Sequence, residues 1–390
     1  MNRPTNSLPP HLRDSDAAAG FEISDDFEGF SQMNDIFTRA MWDETVKSAD
    51  TDGFFASYRM EAAPRRGEGF GQRDFALRNA AWLISDVISN RSADAGLREG
   101  FQGAILNDTP VAPMQADLGP PEQESREIKR LARFFGADLC GITDIDPRWH
   151  YTERPDTKAM KPVPNDLPAG LTHVIVMGHE MDKELVDTYP SALAGAATGR
   201  EYSHEAAIVM QLGAYIRNLG YNAVASMNDT ALVIPYAIKA GLGEYGRNQM
   251  VLTPEFGPRV RFSKIFTDMP LAVDAVRELG LSRYCQDCTI CADACPPKAL
   301  PKGVPSFVGD RPSTIKGVKK WSANCEACFG YWAKIKTDCA ICMRVCPFNQ
   351  RSEGTLWYRL ATSRFRAAAH WWAKRYKSAR LKPSHWWGSR

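Results

Sequence analysis

The sequence predicts a mixed α/β (α+β) chain whose main core is followed by a separate cysteine-rich module. Apolar strand-like segments alternate with amphipathic helix-like segments between residues 121 and 280, which is typical of such a core. Nine of the ten cysteines lie between Cys285 and Cys346, and this clustering excludes a disulfide framework spread over a secreted scaffold. With 390 residues, 44% of them hydrophobic, the chain buries a core without cross-links. No apolar run reaches the ~18 residues of a membrane span.

The chain divides into four predicted regions. They are an N-terminal helical and irregular region (1–120), the α/β core (121–280), the cysteine module (281–354) and a basic, aromatic tail (355–390).

The individual elements follow from periodicity and from end signals. The acidic first turn of EQESREIKRLARFF and the glycine after it, Gly136, predict a helix. Ser203 is predicted to cap a helix that ends at Gly220. The other predicted elements are a helix over 75–90, a strand at ADLCGIT, a strand over 172–181, a strand at NAVAS, a helix over 231–240 and a strand over 260–268.

The net charge of +2 conceals a strong asymmetry. The segment from Thr355 to Arg390 carries nine Lys and Arg residues and no acid, so the rest of the chain has a net charge of −7. This balance argues against nucleic-acid binding over the core. The first residues, MNRPTNSLPPHLRDSDAAAG, have no apolar stretch and no twin-arginine pair, so we expect a cytoplasmic protein with reduced cysteines.

Two cysteine runs end in Cys-Pro, as in bacterial ferredoxins, where the fourth cysteine of a run ligates the other cluster. Three thiolates in one tight loop bind three corners of a cubane, and the fourth must come from elsewhere in the chain. The spacing therefore predicts two [4Fe–4S] clusters in preference to zinc or structural thiols. The first would be bound by Cys285, Cys288, Cys291 and Cys346. The second would take Cys295, Cys339, Cys342 and either Cys325 or Cys328, while Cys140 is interpreted as a buried apolar residue.

Iron–sulfur clusters transfer single electrons, so any chemistry on an organic substrate is expected in the core. GLGEYGR (241–247) only loosely resembles a dinucleotide fingerprint and does not open a clear βαβ unit. No NAD or FAD site is predicted.

The segment AGLGEYGRNQMVLTPEFGPRVRFSKIFTDMPL (240–271), with IRNLGYNA before it and CPFNQ after it, resembles the corrinoid and iron–sulfur reductive dehalogenases. The resemblance covers about two-fifths of the chain. It implies a nitroreductase-like core, a base-off cobamide, and Cys328, which precedes an aromatic pair, as the last ligand of the second cluster. The Asp-x-His-x-x-Gly motif that supplies a cobalt ligand in other B12 proteins is absent.

The resemblance also places the site residues. It implies Tyr202 as the proton donor, Arg261 as its electrostatic partner and Asn228 as a polar group that orients the substrate or the halide. Arg259 competes with Arg261 for that place, and His204 is expected in the first turn of a helix. Cobamide contacts are expected at Gly241, Gly243, Gly246, Arg247, Thr253 and Gly257.

The implied function is reductive cleavage of a carbon–halogen bond in a small organohalide, with electrons from a separate donor such as a ferredoxin, a flavodoxin or a reductase. Two alternatives stay open: a tRNA-modifying enzyme similar to epoxyqueuosine reductase, and a non-catalytic electron-transfer subunit. The five tryptophans of the tail have three interpretations, which are packing over the cysteine module, peripheral membrane contact, or docking of an acidic donor.

Overall fold

The structure is a computed structural model that describes residues 8–59, 67–94, 110–156, 158–165, 167–307, 309–351, 353–376 and 379–388. Parts of the predicted N-terminal region, residues 1–7, 60–66 and 95–109, therefore lie outside the described residues. The strands are β1 (Leu139–Asp144), β2 (Glu153–Pro155), β3 (Pro162–Pro164), β4 (His173–Glu180), β5 (Ala223–Ser226), β6 (Glu244–Tyr245), β7 (Val251–Leu252) and β8 (Val260–Thr267).

The helices lie before, between and after these strands. They are α1 (Pro10–Ala19), α2 (Ile36–Trp42), α3 (Ala49–Ala56), α4 (Gln72–Asp94), α5 (Pro121–Phe135), α6 (Lys183–Asp187), α7 (Gly195–Asn218), α8 (Val233–Lys239), α9 (Leu281–Asp287), α10 (Ile290–Ala294), α11 (Cys325–Ile335), α12 (Ile341–Arg344), α13 (Pro347–Gln350), α14 (Leu356–Ala361), α15 (Arg366–Arg375) and α16 (Pro383–Trp386).

The centre of the core is a four-stranded sheet in the order β1-β4-β8-β5, and every neighbouring pair is antiparallel. Successive side chains of a strand point to opposite faces. On β4, Ile175 and Met177 accordingly pack with the apolar residues of α5 and α7, whereas Val174 and Val176 pack with those of α8. The predicted mixed α/β fold is confirmed as helices on both faces of this sheet.

Helix α7 begins eight residues before the predicted N-cap at Ser203, so that prediction is wrong. The extra turns contain Gly195 and Gly199, which are poor helix formers. A Cβ at Gly199 would lie 2.3 Å from Cδ1 of Trp82 on α4, so the glycine allows the two helices to approach closely. The hydroxyl of Ser203 donates to the carbonyl of Ala81 at 2.6 Å, which adds a second contact between them. Tertiary packing therefore outweighs local propensity here.

The cysteine module packs against the rest of the chain on two sides. Phe54 of α3 packs on Phe329 of α11, which links the N-terminal region to the module. In the tail, Trp357 is 2% exposed and lies in edge contact with Tyr284 and Phe348, so one of the five tail tryptophans packs over the module, in line with the first of the three interpretations. No helix among the described residues combines the length and apolar character that a bilayer crossing requires.

Candidate active site

Three polar side chains from separate elements converge on one hydroxyl group. The phenolic oxygen of Tyr202 accepts hydrogen bonds from Nη2 of Arg261 and from Nδ2 of Asn228. The same Nη2 lies 3.3 Å from Oδ1 of Asn228, and Cζ of Arg261 lies 4.0 Å from the centroid of the Tyr202 ring. Because these two bonds use the acceptor capacity of the oxygen, the hydroxyl is left to act as a donor.

Each member of this trio is held by its own element. Tyr202 projects from α7, and its ring stacks on the indole of Trp82 with a centroid distance of 4.6 Å and an interplanar angle of 27°. Asn228 lies in the turn after β5, where the hydroxyl of Ser226 donates to the carbonyl of Asp229 at 2.7 Å. Arg261 projects from β8 towards α7. The rigid sheet and helix therefore fix the geometry of the site.

The competing arginine is engaged elsewhere. Nη1 of Arg259 donates to the carbonyl of Met181 at 2.7 Å and to the carboxylate of Glu180. The structure therefore places Arg261, and not Arg259, beside Tyr202. His204 lies within α7 rather than in its first turn, and 56% of its side chain is exposed.

Burial raises the pKa of Tyr202 above its ordinary value, although the charge of Arg261 and the hydrogen bond from Asn228 oppose this effect. The guanidinium by itself lowers the pKa of the phenol, but the opposite effect of desolvation is larger. The phenol stays protonated at neutral pH. When it loses its proton, the two donors are already in place to stabilise the phenolate.

A cavity of about 2140 Å³ opens in front of the trio. Ordinary small-molecule sites occupy roughly 300–1,000 Å³, so this space is large enough for a bulky cofactor and a substrate together. Its walls come from the N-terminal helices, the core and the cysteine module, and they include Trp82, Tyr202, Asn228, Asn248 and Arg261.

The six residues expected to contact a cobamide are not among the described lining residues of this cavity. Arg247 is buried and donates to the carbonyls of Cys285, at 2.8 Å, and of Cys288, also at 2.8 Å, so it supports the first cysteine loop. A Cβ at Gly257 would lie 2.6 Å from the backbone of Phe348, which shows a close packing contact with the module. Cobamide contact by these six residues stays a prediction.

The first cysteine set surrounds one small cavity. Cys285, Cys288, Cys291 and Cys346 line it together with Asn248, which also lines the large cavity. Burial raises the pKa of all four thiols. Thiolates buried in this way need a positive centre to keep them ionised, and an iron–sulfur cluster provides one. The donor set therefore fits the predicted cluster.

The second set also comes together. The pKa of Cys342 is raised by burial and further by the neighbouring Cys328, Cys339 and Cys295. Sγ of Cys325 instead points towards the carbonyl of Ser313, 3.6 Å away. No three His, Cys, Asp or Glu side chains in the described ranges converge closely enough for a single ion. The thiolates of a cubane are spaced more widely than the ligands of one tetrahedral metal, so such convergence is not required of a cluster site.

Two buried polar residues behind Tyr202 were missed in the sequence. Glu205, on α7, is fully buried, and His179, on β4, is 1% exposed. Their nearest polar atoms, Oε2 and Nε2, are 4.0 Å apart. The sequence did contain one indication of this buried acid. Glu205 follows Tyr202 by three residues and precedes Val209 by four, so helical periodicity places it on the apolar face of α7.

The sequence is similar to known reductive dehalogenases. A profile of the reductive dehalogenase subunit family matches residues 153–271. A tetrachloroethene reductive dehalogenase of Sulfurospirillum multivorans is 32% identical over 86% of this chain and 75% of its own length. An epoxyqueuosine reductase of Leadbetterella byssophila is 26% identical over 58% of this chain and 80% of its own length.

The solved structure of a catabolic reductive dehalogenase in complex with 3-bromo-4-hydroxybenzoic acid has the same fold. The TM-score is 0.69 at 22% identity, and the match covers 96% of this chain but only 48% of that one. Identity of 32% across three quarters of a curated relative extends well beyond the cysteine motifs. The chain therefore belongs to the reductive dehalogenase family.

Proposed function

We propose that this chain replaces the halogen of an organohalide with hydrogen, using a base-off cobamide and two [4Fe–4S] clusters. The observation that carries the proposal is the phenol of Tyr202, held by Arg261 and Asn228 at the wall of a cavity of about 2140 Å³. The overall change is R–X + 2 e⁻ + H⁺ → R–H + X⁻, so the site must provide electrons and one proton. When bound, the cobamide supplies the electron-rich metal centre for cleavage of the carbon–halogen bond, with electrons delivered through the clusters.

Tyr202 provides the proton. Its O–H bond breaks as the C–H bond of the product forms, and the resulting phenolate keeps its hydrogen bonds from Arg261 and Asn228. The raised pKa keeps the phenol protonated until that moment. The two donors are charged or strongly polar and already oriented, so they stabilise the developing negative charge without reorganisation. Asn228 also offers its amide to a polar substrate group or to the departing halide.

The decisive experiment is Tyr202→Phe in the cofactor-loaded protein. We expect dehalogenation to fall by about 10²-fold or more, because a general acid typically contributes that much, while the cobalt and iron contents stay unchanged. Tyr215→Phe is the matched control, since it makes the same chemical change further along α7 and outside the trio. A Tyr202→Phe protein that turns over at nearly the wild-type rate would refute the assignment.

Two other functions are weighed against this one. A tRNA-modifying reductase would need a basic surface over the core and an acidic proton donor, whereas the chain before the tail has a net charge of −7 and the donor position holds Tyr202. An electron-transfer subunit would need neither the trio nor the large cavity. Metal analysis tests for the electron-transfer subunit. A protein that holds about eight irons per chain but binds no cobalt would favour that function.

We also propose that electrons come from a separate protein and that the chain acts in the cytoplasm. The basic tail carries exposed aromatic side chains beside its buried Trp357; Trp371, for example, is 68% exposed. Such a surface suits an acidic donor of the ferredoxin or flavodoxin class or an anionic membrane. Flotation with anionic vesicles, compared with binding of a reduced ferredoxin, distinguishes the two.

A further inference from the structure

A buried acid lies directly behind the proposed proton donor. Glu205 is fully buried, and neither of its carboxyl oxygens has a hydrogen-bond partner among the described residues. It follows Tyr202 by three positions on α7, a spacing that brings side chains together on one face of a helix. A buried carboxyl group without hydrogen bonds is costly, so its presence at this point needs a physical reason.

The charged groups near Glu205 explain how it can change charge. Arg261 and Lys264, both on β8, favour its ionised form, while Glu201 on the same helix favours its protonated form. His179 of β4 lies at 4.0 Å, and its Nε2 is hydrogen-bonded to the hydroxyl of Ser263 at 2.9 Å. The positive charges therefore stabilise the ionised form of Glu205, whereas its burial away from water stabilises the protonated form.

A second buried acid, Glu201, lies between Glu205 and two exposed side chains of the same helix. Glu201 precedes Glu205 by four residues and so lies one helical turn away on the same face. Its Oε2 is 4.0 Å from Nδ1 of His204, and its Oε1 is 3.4 Å from Nε of Arg200. The side chains of Arg200 and His204 are 50% and 56% exposed. The helix thus carries a line of ionisable groups from the surface to Tyr202.

We propose that Glu205 is the relay residue that returns a proton to Tyr202 after each turnover, drawing it from solvent through Glu201. This inference rests on the proposed function of Tyr202. After Tyr202 has given its proton to the product, the O–H bond of protonated Glu205 breaks and that of Tyr202 reforms. The carboxylate of Glu205, which the positive charges of Arg261 and Lys264 stabilise, then takes a proton from Glu201, and Glu201 regains a proton from hydronium or a buffer acid in the solvent. No electrons move in these steps.

The protonation equilibria suit this role. Burial raises the pKa of Glu205 to about 7 and that of Glu201 also to about 7. Burial lowers the pKa of His179 to about 3, so the imidazole stays neutral and does not hold Glu205 as a permanent ion pair. A proton carrier works best when its pKa lies near the working pH, because both of its forms are then populated.

The test separates the first turnover from later ones in the cofactor-loaded protein. In Glu205→Gln, the first equivalent of product should form at nearly the wild-type rate, since Tyr202 starts protonated. Steady-state turnover should fall about tenfold or more. The wild-type steady-state rate should change near pH 7 as Glu205 titrates, and this pH dependence should be lost in Glu205→Gln. Glu127→Gln, which alters an exposed acid of α5, is the control and should leave both phases unchanged.

A second measurement does not depend on activity. Because the carboxylate of Glu205 raises the pKa of Tyr202, Glu205→Gln should lower that pKa, as followed by carbon-13 NMR of ring-labelled tyrosine and assigned with Tyr202→Phe. Glu201→Gln, nearer the surface, should also slow steady-state turnover and spare the first turnover. Unchanged steady-state rates in Glu205→Gln, or equal losses in both phases with no shift of the Tyr202 titration, would overturn the relay. Inactivity of the wild type towards organohalides would instead refute the proposed function, while the NMR titration would still test the coupling.

Discussion

The guanidinium carbon of Arg261 lies 4.0 Å from the ring centroid of Tyr202, while Nη2 of the same arginine donates to the phenolic oxygen. One cation thus contacts both the face and the hydroxyl of the ring. A planar guanidinium can make both contacts at once, whereas a lysine ammonium acts as a point charge.

We therefore expect Arg261→Lys to reduce turnover by about 10²-fold and to raise the pKa of Tyr202 further, because the phenolate loses its oriented donor. Steady-state kinetics and tyrosine NMR measure the two effects. Arg126→Lys, which alters an exposed residue of α5 that does not line the large cavity, is the control. Wild-type kinetics in Arg261→Lys would show that only the positive charge matters.

Gly199 determines how closely α4 approaches α7. Alanine there would place its Cβ 2.3 Å from the indole of Trp82, the ring on which Tyr202 stacks. We expect Gly199→Ala to destabilise the fold by about 1–3 kcal/mol and to lower activity by displacing both rings. In Gly330→Ala, on α11, no atom of the described residues lies within 4 Å of the added Cβ, so this variant should be neutral or slightly stabilising. Urea denaturation compares the two proteins, and equal midpoints would contradict the packing argument.

Cys325 and Cys328, both on α11, are the two candidates for the last ligand of the second cluster, and their thiols have different neighbours. The thiol of Cys328 lies beside Cys339 and Cys295, whereas that of Cys325 points to the carbonyl of Ser313. We expect Cys328→Ser to lose about half of the iron and the electron paramagnetic resonance signal of one cluster. Cys325→Ser should keep both clusters. If Cys325→Ser loses a cluster and Cys328→Ser keeps both, then Cys325 is the ligand and Cys328 is not.

Glu205 should make the stability of the protein depend on pH. Its pKa is raised from 4.5 to about 7 in the folded protein. Between these two pH values the folded protein therefore keeps a proton on Glu205 that the unfolded chain has already released. The unfolded state then binds fewer protons, and stability falls as the pH rises from about 4.5 to 7. Relative to Glu205→Gln, we expect the wild type to lose about 1 kcal/mol between pH 6 and 8. Urea midpoints at the two pH values measure this, and a constant difference would show that Glu205 is not protonated in the fold.

Trp357 of the tail is part of the core of the cysteine module, so deletion of the whole tail would lower stability as well as remove a docking surface. We expect Trp357→Ala to cost about 3–5 kcal/mol and to accelerate iron loss, since its ring contacts Tyr284 and Phe348 beside the first cysteine set. Trp371→Ala should leave stability within about 0.5 kcal/mol, because this side chain is 68% exposed. Thermal unfolding and iron release distinguish the two, and equal effects would mean that the tail does not pack as described.

The amino-acid sequence by itself determined the features whose physical cause is local. Strand β4 and helix α5 were predictable within one or two residues, because periodicity and end signals act over a few neighbours. The spacing of Cys285, Cys288 and Cys291 indicated a cluster loop for the same reason. The resemblance to a known family named Tyr202, Asn228 and Arg261, which the structure brings together around one hydroxyl group.

Only the tertiary structure decided the features that depend on contacts between distant segments. The start of α7 depends on Gly199 meeting Trp82, and the choice between Arg259 and Arg261 depends on where Glu180 and Met181 lie. The burial of Glu205 depends on two elements closing over a charged residue that local rules place at the surface. These contacts form across more than fifty residues of sequence for the arginines and for Trp82, so no short-range pattern encodes them.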